Sequence, residues 1–196
     1  MGREREEVSK EYIFRLVLER IAEVGLPKMA VDTIAWRYEI SVGRLYRAFP
    51  GRNALLAATY DDFLNQLDRS LRIGGWFGPP RKQLAKLWQR LESHFAHNKG
   101  QAFLELAHAR TSFSTCAATR HGSELPSLLE FVQTGQLLGA FKPAPPRVLS
   151  TAIWSLFTGC IGASGAGALD LNRTLLAASC DCCWDALRIH ADEPFR

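Results

Sequence analysis

Apolar residues along this chain recur at steps of three and four, the period of a helix, and not at the two-residue step of a strand. Ile13, Val17, Ile21 and Val24 form the first such stripe, and Gly25 followed by Pro27 ends it. A short helix is predicted from about Val31 to Tyr38. Another runs from Val42 to Phe49, with Ser41 at its N-cap position and Pro50-Gly51 as its stop. From about Asn53 to Leu71, the residues Leu55, Leu56, Tyr60, Phe63, Leu64 and Leu67 share one broad face. GGWFGPP, Gly74 to Pro80, is the clearest break in the chain. Helical spacing returns at Arg81–Asn98, Gln101–Phe113, Leu125–Leu138, Arg147–Gly162 and Leu171–Ile189. The polar stretch SFSTCAATRHGSE and the turn GAFKPAPP interrupt it. The expected fold class is therefore all-α, with eight or nine helices arranged as a small N-terminal unit and a larger helical body.

With 47% hydrophobic residues in 196, the chain can bury a core. Its net charge of +4 is modest, so a basic function has to sit in a local patch. One such patch exists. From Trp36 to Arg52 there are four arginines (37, 44, 47 and 52) and one acid, Glu39. The same stretch reads as short helix, tight turn, short helix, which is the helix-turn-helix arrangement. Ala35 is small where the two helices approach, and Ile34, Ile40, Leu45 and Phe49 supply a small core. Val42, Gly43, Arg44, Tyr46 and Arg47 are left to face outward in part. Arginine bonds guanine bidentately in the major groove, while the Tyr46 hydroxyl and Arg52 suit phosphates. A solvated charged face is the alternative for any basic stretch; here the turn, its packing residues and the Pro50-Gly51 break together favour the helix-turn-helix.

Residues 8 to 67 resemble the DNA-binding domain of the TetR family of bacterial transcriptional regulators. The resemblance rests on IAEVG (Ile21–Gly25), VDTIAWRYEIS (Val31–Ser41) and VGRLYRAFPGRNALL (Val42–Leu56). Within these, Ser41, Gly43, Leu45, Tyr46, Phe49, Arg52, Leu55 and Leu56 match the family pattern. It implies a DNA-binding domain at residues 1–52 and an effector-binding and dimerisation domain at 53–196. The DNA-facing set it implies is Lys28, Asp32, Thr33, Ser41, Val42, Gly43, Arg44, Tyr46, Arg47 and Arg52. The sequence also departs from the pattern. Glu39 stands where the turn usually begins with Gly; a left-handed backbone there would cost Glu about 1 kcal/mol. Met29, Ala30 and Val31 stand where a Thr or Ser usually opens the second helix, so a phosphate contact is lost, with Lys28 upstream as its replacement. Asp32 either accepts from cytosine N4 or stabilises the helix N-terminus. Ala48 replaces a common His or Tyr phosphate contact. Arg3 and Arg5 either reach a minor groove or belong to a disordered tail.

In the C-terminal body the resemblance is architectural, and GQLLGAFKP looks like the family's turn before its dimerisation helices. It implies a homodimer through the last two helices. Leu149, Ile153, Leu156, Phe157, Leu175, Leu176, Trp184 and Leu187 are apolar there, and Ala152, Gly159, Ala177 and Ala178 are small enough for close helix contact. A pocket for a small apolar or aromatic effector is the second implication. Its candidate residues are Trp88, His94, Phe95, Phe103, His108, Phe113, Phe131 and Trp154, most of them expected to be core. His94 and His97 lie one turn apart, with Glu92 and Glu105 the only carboxylates near enough to join a metal site, so polar pocket or surface histidines are favoured and no metal and no cofactor are expected. CDCC places Cys180 and Cys183 on one helical face and Cys182 on another, which cannot close a tetrahedral site within one helix. Five cysteines, an odd number clustered late, make no disulfide framework.

The uncharged run from Val148 to Leu169 is long enough to span a membrane, but its glycines and hydroxyl residues favour a buried helix running into a loop. No export signal opens the chain, so the expected location is cytoplasmic, without membrane association. Enzyme motifs are missing: GASGAG lacks a preceding strand, and neither G-x-S-x-G nor H-E-x-x-H occurs. The expected function is a non-enzymatic regulator, a repressor that binds a palindromic double-stranded DNA operator as a dimer and is released by a small molecule. Two alternatives stay open. One is a helical ligand-binding protein with impaired DNA binding, and the other is a thiol- or metal-responsive regulator using Cys180, Cys182 and Cys183.

Overall fold

The computed structural model describes residues 9–72, 74–96, 99–113, 121–165, 167 and 172–189, and among residues 99 and 110–113 the backbone alone. The helices are α1 (Lys10–Val24), α2 (Val31–Arg37), α3 (Val42–Ala48), α4 (Arg52–Arg72), α5 (Pro80–Phe95), α6 (Lys99–Phe113), α7 (Pro126–Leu137), α8 (Pro146–Gly165) and α9 (Arg173–Leu187). Two single 3-10 turns, Leu26–Lys28 and Gly122–Glu124, complete the helical set. The described residues hold no β-strand, only an isolated antiparallel bridge between Phe141 and Arg188. The fold is all-α, and the predicted helices all form.

The chain divides into two compact units, residues 1–63 with 97–119 and residues 64–96 with 120–196. In the first, Ser9 caps α1 by accepting from the Tyr12 N–H at 3.2 Å. Gly25, at φ +80°, ends α1 in a conformation that favours glycine. Ile13, Phe14, Leu16, Val17, Leu18 and Ile21 bury one face of α1, and its neighbours include α6. Phe103 of α6 stacks between Tyr60 and Phe63 of α4, with ring centroids 5.2 and 4.0 Å away.

In the second unit, Asp68 of α4 accepts from the Ser127 N–H at 2.9 Å and so caps the start of α7. Pro126 sits in the first turn of α7, where its missing N–H costs nothing. Phe95, Trp154 and Phe157 meet edge to face, and Trp88 joins Phe157 at 5.5 Å. The Trp88 indole N–H donates to Ser179 Oγ at 3.1 Å, satisfying a buried donor. A Cβ on Gly122 would meet the Trp154 ring, and one on Gly135 the Phe141 ring, both at 2.1 Å. Neither position admits a side chain. The turn between α7 and α8 is tied down by Gln136, which donates to the Lys142 and Ala144 carbonyls, and by Lys142 N–H to Leu187 O at 2.9 Å.

Helix α8 turns Leu149, Ser150, Ile153, Trp154, Phe157 and Ile161 inward. It extends through Gly165, so part of the glycine-rich stretch expected as loop is helical. By length and composition alone it could cross a membrane, but it carries the one-sided stripe of a helix packed against α7 and α9. The buried helix expected there is only 33% buried over its most apolar window. Arg3, Arg5, His97 and the Phe113 side chain, all singled out by sequence, lie outside what the structure describes, as does Cys116.

Candidate nucleic-acid interface

Helices α2 and α3 have seven residues each, far too short to stand alone. Tertiary packing forms them. Ile34, Ala35, Ile40, Leu45 and Phe49 are each at most 6% exposed, and Phe14 of α1 meets Phe49 edge to face at 5.6 Å. The turn between them is closed by Tyr38 N–H to Ile34 O and Ile40 N–H to Ala35 O, at 3.1 and 2.9 Å. At its centre Glu39 has φ +54°, the one non-glycine residue with positive φ among those described. The turn therefore takes the left-handed backbone that glycine would adopt without strain.

This core leaves one face of α3 outside. Val42 and Tyr46 are 44% and 43% exposed, Ser41, Gly43 and Arg47 are exposed, and Arg44 is half-buried. Ser41 occupies the N-cap position, yet its hydroxyl makes no capping bond. A Cβ on Gly43 would have nothing within 4 Å, so no protein contact demands a glycine there.

The four arginines of the basic stretch do not stand alike. Arg37 pairs with Glu23 at 3.0 Å. Arg52 turns inward: its Nε donates to the Met29 carbonyl at 2.9 Å and its Nη2 to the Leu26 carbonyl at 2.7 Å. Arg44 and Arg47 make no ion pair among the described residues. On α2, Lys28 just upstream is exposed, and the Thr33 hydroxyl donates to the Ala30 carbonyl at 2.6 Å. Asp32 is exposed and faces Tyr46. Its charge, then loss of water, then a hydrogen bond from the phenol raise the Tyr46 pKa above its ordinary value. A carboxylate thus stands beside the basic face, a pairing that sequence alone did not show. Trp36, 85% exposed on α2, is a second feature that periodicity could not place.

The residues proposed for an effector divide between the units. Phe103 and the exposed His108 belong to the first; Trp88, His94, Phe95, Phe131 and Trp154 belong to the second. Phe103, Phe95, Phe131, Trp154 and Trp88 are all at most 5% exposed and packed in aromatic clusters. One open cavity in the second unit, about 600 Å³, lies between α5 and α9. Trp88 is the sole member of the predicted set on its lining, beside Gln89, Glu92, Leu176, Cys180 and Asp181. Burial and the Asp181 charge push the Cys180 thiol up to about 11, and burial beside Cys180 and Cys182 pushes Cys183 up to about 12. Both are protonated near neutrality, which disfavours a thiolate sensor. Among the described residues no cluster of three or more His, Cys, Asp or Glu could hold a metal ion.

No protein-family model and no curated protein matches the sequence. Solved structures do match over nearly the whole chain. A TetR-family transcription regulator from Marinobacter aquaeolei superposes with a TM-score of 0.71 at 19% identity, covering 96% of this chain and all of that one. A TetR-family transcriptional regulator from Haemophilus influenzae gives 0.69 at 14% identity, covering 92% of this chain and 96% of its own. The reduced form of NemR from E. coli gives 0.69 at 16% identity, covering 93% and 99%. The chain has the fold of the TetR-family transcriptional regulators.

Proposed function

We propose that this chain, built on the fold of TetR-family transcriptional regulators, is itself a cytoplasmic DNA-binding regulator of transcription and not an enzyme. It acts as a homodimer joined through α8 and α9, and as a repressor that a small apolar or aromatic effector releases. Residues 1–52 form the DNA-binding domain and residues 53–196 the effector and dimerisation domain. The carrying observation is the outer face of α3: Arg44, Tyr46 and Arg47 project from a helix pair held by the buried Ile34, Ala35, Ile40, Leu45 and Phe49.

A helix fits the major groove, and Arg47 and Arg44 are the base-reading candidates because no carboxylate of the described chain engages them. Lys28, Thr33, Ser41, Val42 and Tyr46 flank them toward the sugar-phosphate backbone. Arg52 has a part beyond the phosphate contact expected of it: two of its five N–H donors hold the Met29 and Leu26 carbonyls, and the others stay available to a phosphate. Gly43 lets backbone approach backbone closely, because nothing in the protein fills the space its side chain would occupy. Two copies of α3 reading two half-sites require a dimer. The exposed small residues Gly159, Ala177 and Ala178 suit a close helix interface. For the effector, the cavity between α5 and α9 has an apolar wall at Trp88 and Leu176 and a polar rim, the usual make-up of a small-molecule site. An effector acts only through different affinities for two states of the dimer.

The test is selection of binding sites from random duplexes by the full-length protein at low and moderate salt. The expected product is an enriched palindrome with half-sites about one helical turn apart. No enrichment at either salt sinks the regulator reading and leaves a helical ligand-binding protein, the alternative that Asp32 beside Tyr46 favours.

A further inference from the structure

The connection between α1 and α2 is gripped from two sides. The Leu26 N–H, first in a 3-10 turn and without a partner in that turn, donates to Glu105 Oε2 of α6 at 2.7 Å. The Leu26 carbonyl accepts from Arg52 Nη2 at 2.7 Å, and the Met29 carbonyl accepts from Arg52 Nε at 2.9 Å. Glu105 is 79 residues away in sequence, and Arg52 is the first residue of α4. Both faces of one peptide segment are thus held by charged side chains, the strong class of hydrogen bond. Leu26 and Met29 themselves are buried at 8% and 2% exposure, so the clamped backbone has little water to turn to. Gly25, at φ +80°, lies 3.9 Å from Glu105 Oε2 at its would-be Cβ, and supplies the bend that aims the Leu26 N–H at α6.

We infer that Glu105 and Arg52 are positioning residues that set how the α2–α3 pair is presented. The inference rests on the DNA-binding reading for its consequence, not for its geometry. Helix α2 begins two residues after Met29, so any shift of the 26–29 segment moves its start. A displacement of α6 by about 1 Å would carry a 2.7 Å bond beyond hydrogen-bonding range. The Leu26 N–H would then lose its partner in a part-buried site, and the connection would relax. A charged side chain on the surface of α6 is otherwise expected to contribute little, so its removal should be felt locally.

The experiment compares wild type with Glu105→Ala and Glu105→Gln by amide hydrogen exchange, resolved along the full-length chain. Glu105→Ala should raise exchange of the segment from Leu26 through Thr33 by roughly tenfold, since a bond to a charged acceptor is lost. Exchange in α1 and α9 should stay unchanged, and Glu105→Gln, which keeps an acceptor, should restore most of the protection. Arg52→Lys, which keeps the charge but loses the fork, should show the same local signature. Unchanged exchange at Leu26, or equal acceleration in every helix together with a lowered Tm, would overturn the inference. On the duplex that wild type selects, Glu105→Ala should weaken binding about fivefold while leaving a random duplex unaffected. If wild type selects no duplex, the regulator reading falls and the exchange result alone decides the clamp. If selection succeeds but exchange is unmoved, the clamp is wrong and the regulator reading stands.

Discussion

Two helix pairs in this molecule are built on opposite terms. The α2–α3 pair has seven residues per helix, buries Val31, Ile34, Ala35 and Leu45, and leaves Trp36, Val42, Tyr46 and Arg47 exposed with Arg44 half-buried. The α8–α9 pair has 20 and 15 residues, and its outer positions include Gly159, Ala177 and Ala178. A helix of two turns cannot pay for its own order, so each core residue of the first pair is indispensable. A long helix holds many hydrogen bonds and one broad stripe, so single positions matter less and its outward face can stay small and apolar. A charged, aromatic face suits a polyanion; a small-residue face suits a close helical neighbour.

The sharpest way to break this contrast is at Leu45, 1% exposed in the centre of α3. Leu45→Ala should cost about 2–5 kcal/mol, read by urea denaturation, because the site is closely packed. Leu156→Ala on the half-exposed side of α8 should cost distinctly less in a dilute monomer. Equal losses would mean that the short pair is not carried by its core in the way argued.

Next in size is the division among the arginines. Arg47→Ala should weaken binding to the selected duplex by about ten- to a hundredfold and relax preference at one base position, measured by fluorescence anisotropy. Arg52→Ala should act through the Leu26 and Met29 carbonyls, loosening the start of α2. A phosphate-contacting Arg52 would instead flatten the salt dependence, with a slope smaller by about 1. Finding that second pattern would return Arg52 to the backbone and remove it from the clamp.

How much of this could be read beforehand follows the same contrast. The Ile13, Val17 and Ile21 stripe, the five residues of the α2–α3 core and the break at Pro50-Gly51 were legible because local spacing and turn chemistry dictate them. Helix ends fell within three residues, since breaks such as Gly25, Pro50-Gly51 and GGWFGPP mark them; the caps Ser9 and Asn172 were not read beforehand. The partners of Arg52 and Glu105 were not legible, because a bond across 79 residues leaves no periodic trace. Nor was the pairing of Asp32 with Tyr46, which depends on how α2 and α3 meet. Most aromatic residues of the second unit were expected to be core, and in the structure they interlock; which of them lines the α5–α9 cavity, Trp88, was not legible, because it depends on how the two helices meet.

The smallest expected effects separate folding from function at two positions four residues apart. Glu39 holds φ +54°, a backbone that glycine adopts without penalty. Glu39→Gly should therefore stabilise the chain by about 1 kcal/mol and leave duplex binding unchanged. Gly43 lies inside α3 with open space beyond its Cα, so Gly43→Ala should stabilise by roughly 0.5–1 kcal/mol on helix propensity alone. On the proposed DNA-binding role, binding should nonetheless fall, because the added methyl group occupies the open space beyond the Gly43 Cα. Thermal denaturation and anisotropy on the same samples measure both quantities. A Gly43→Ala variant that is more stable and binds as well as wild type would show that the exposed face of α3 meets no phosphate at this point, and would move the interface along the helix toward Arg47.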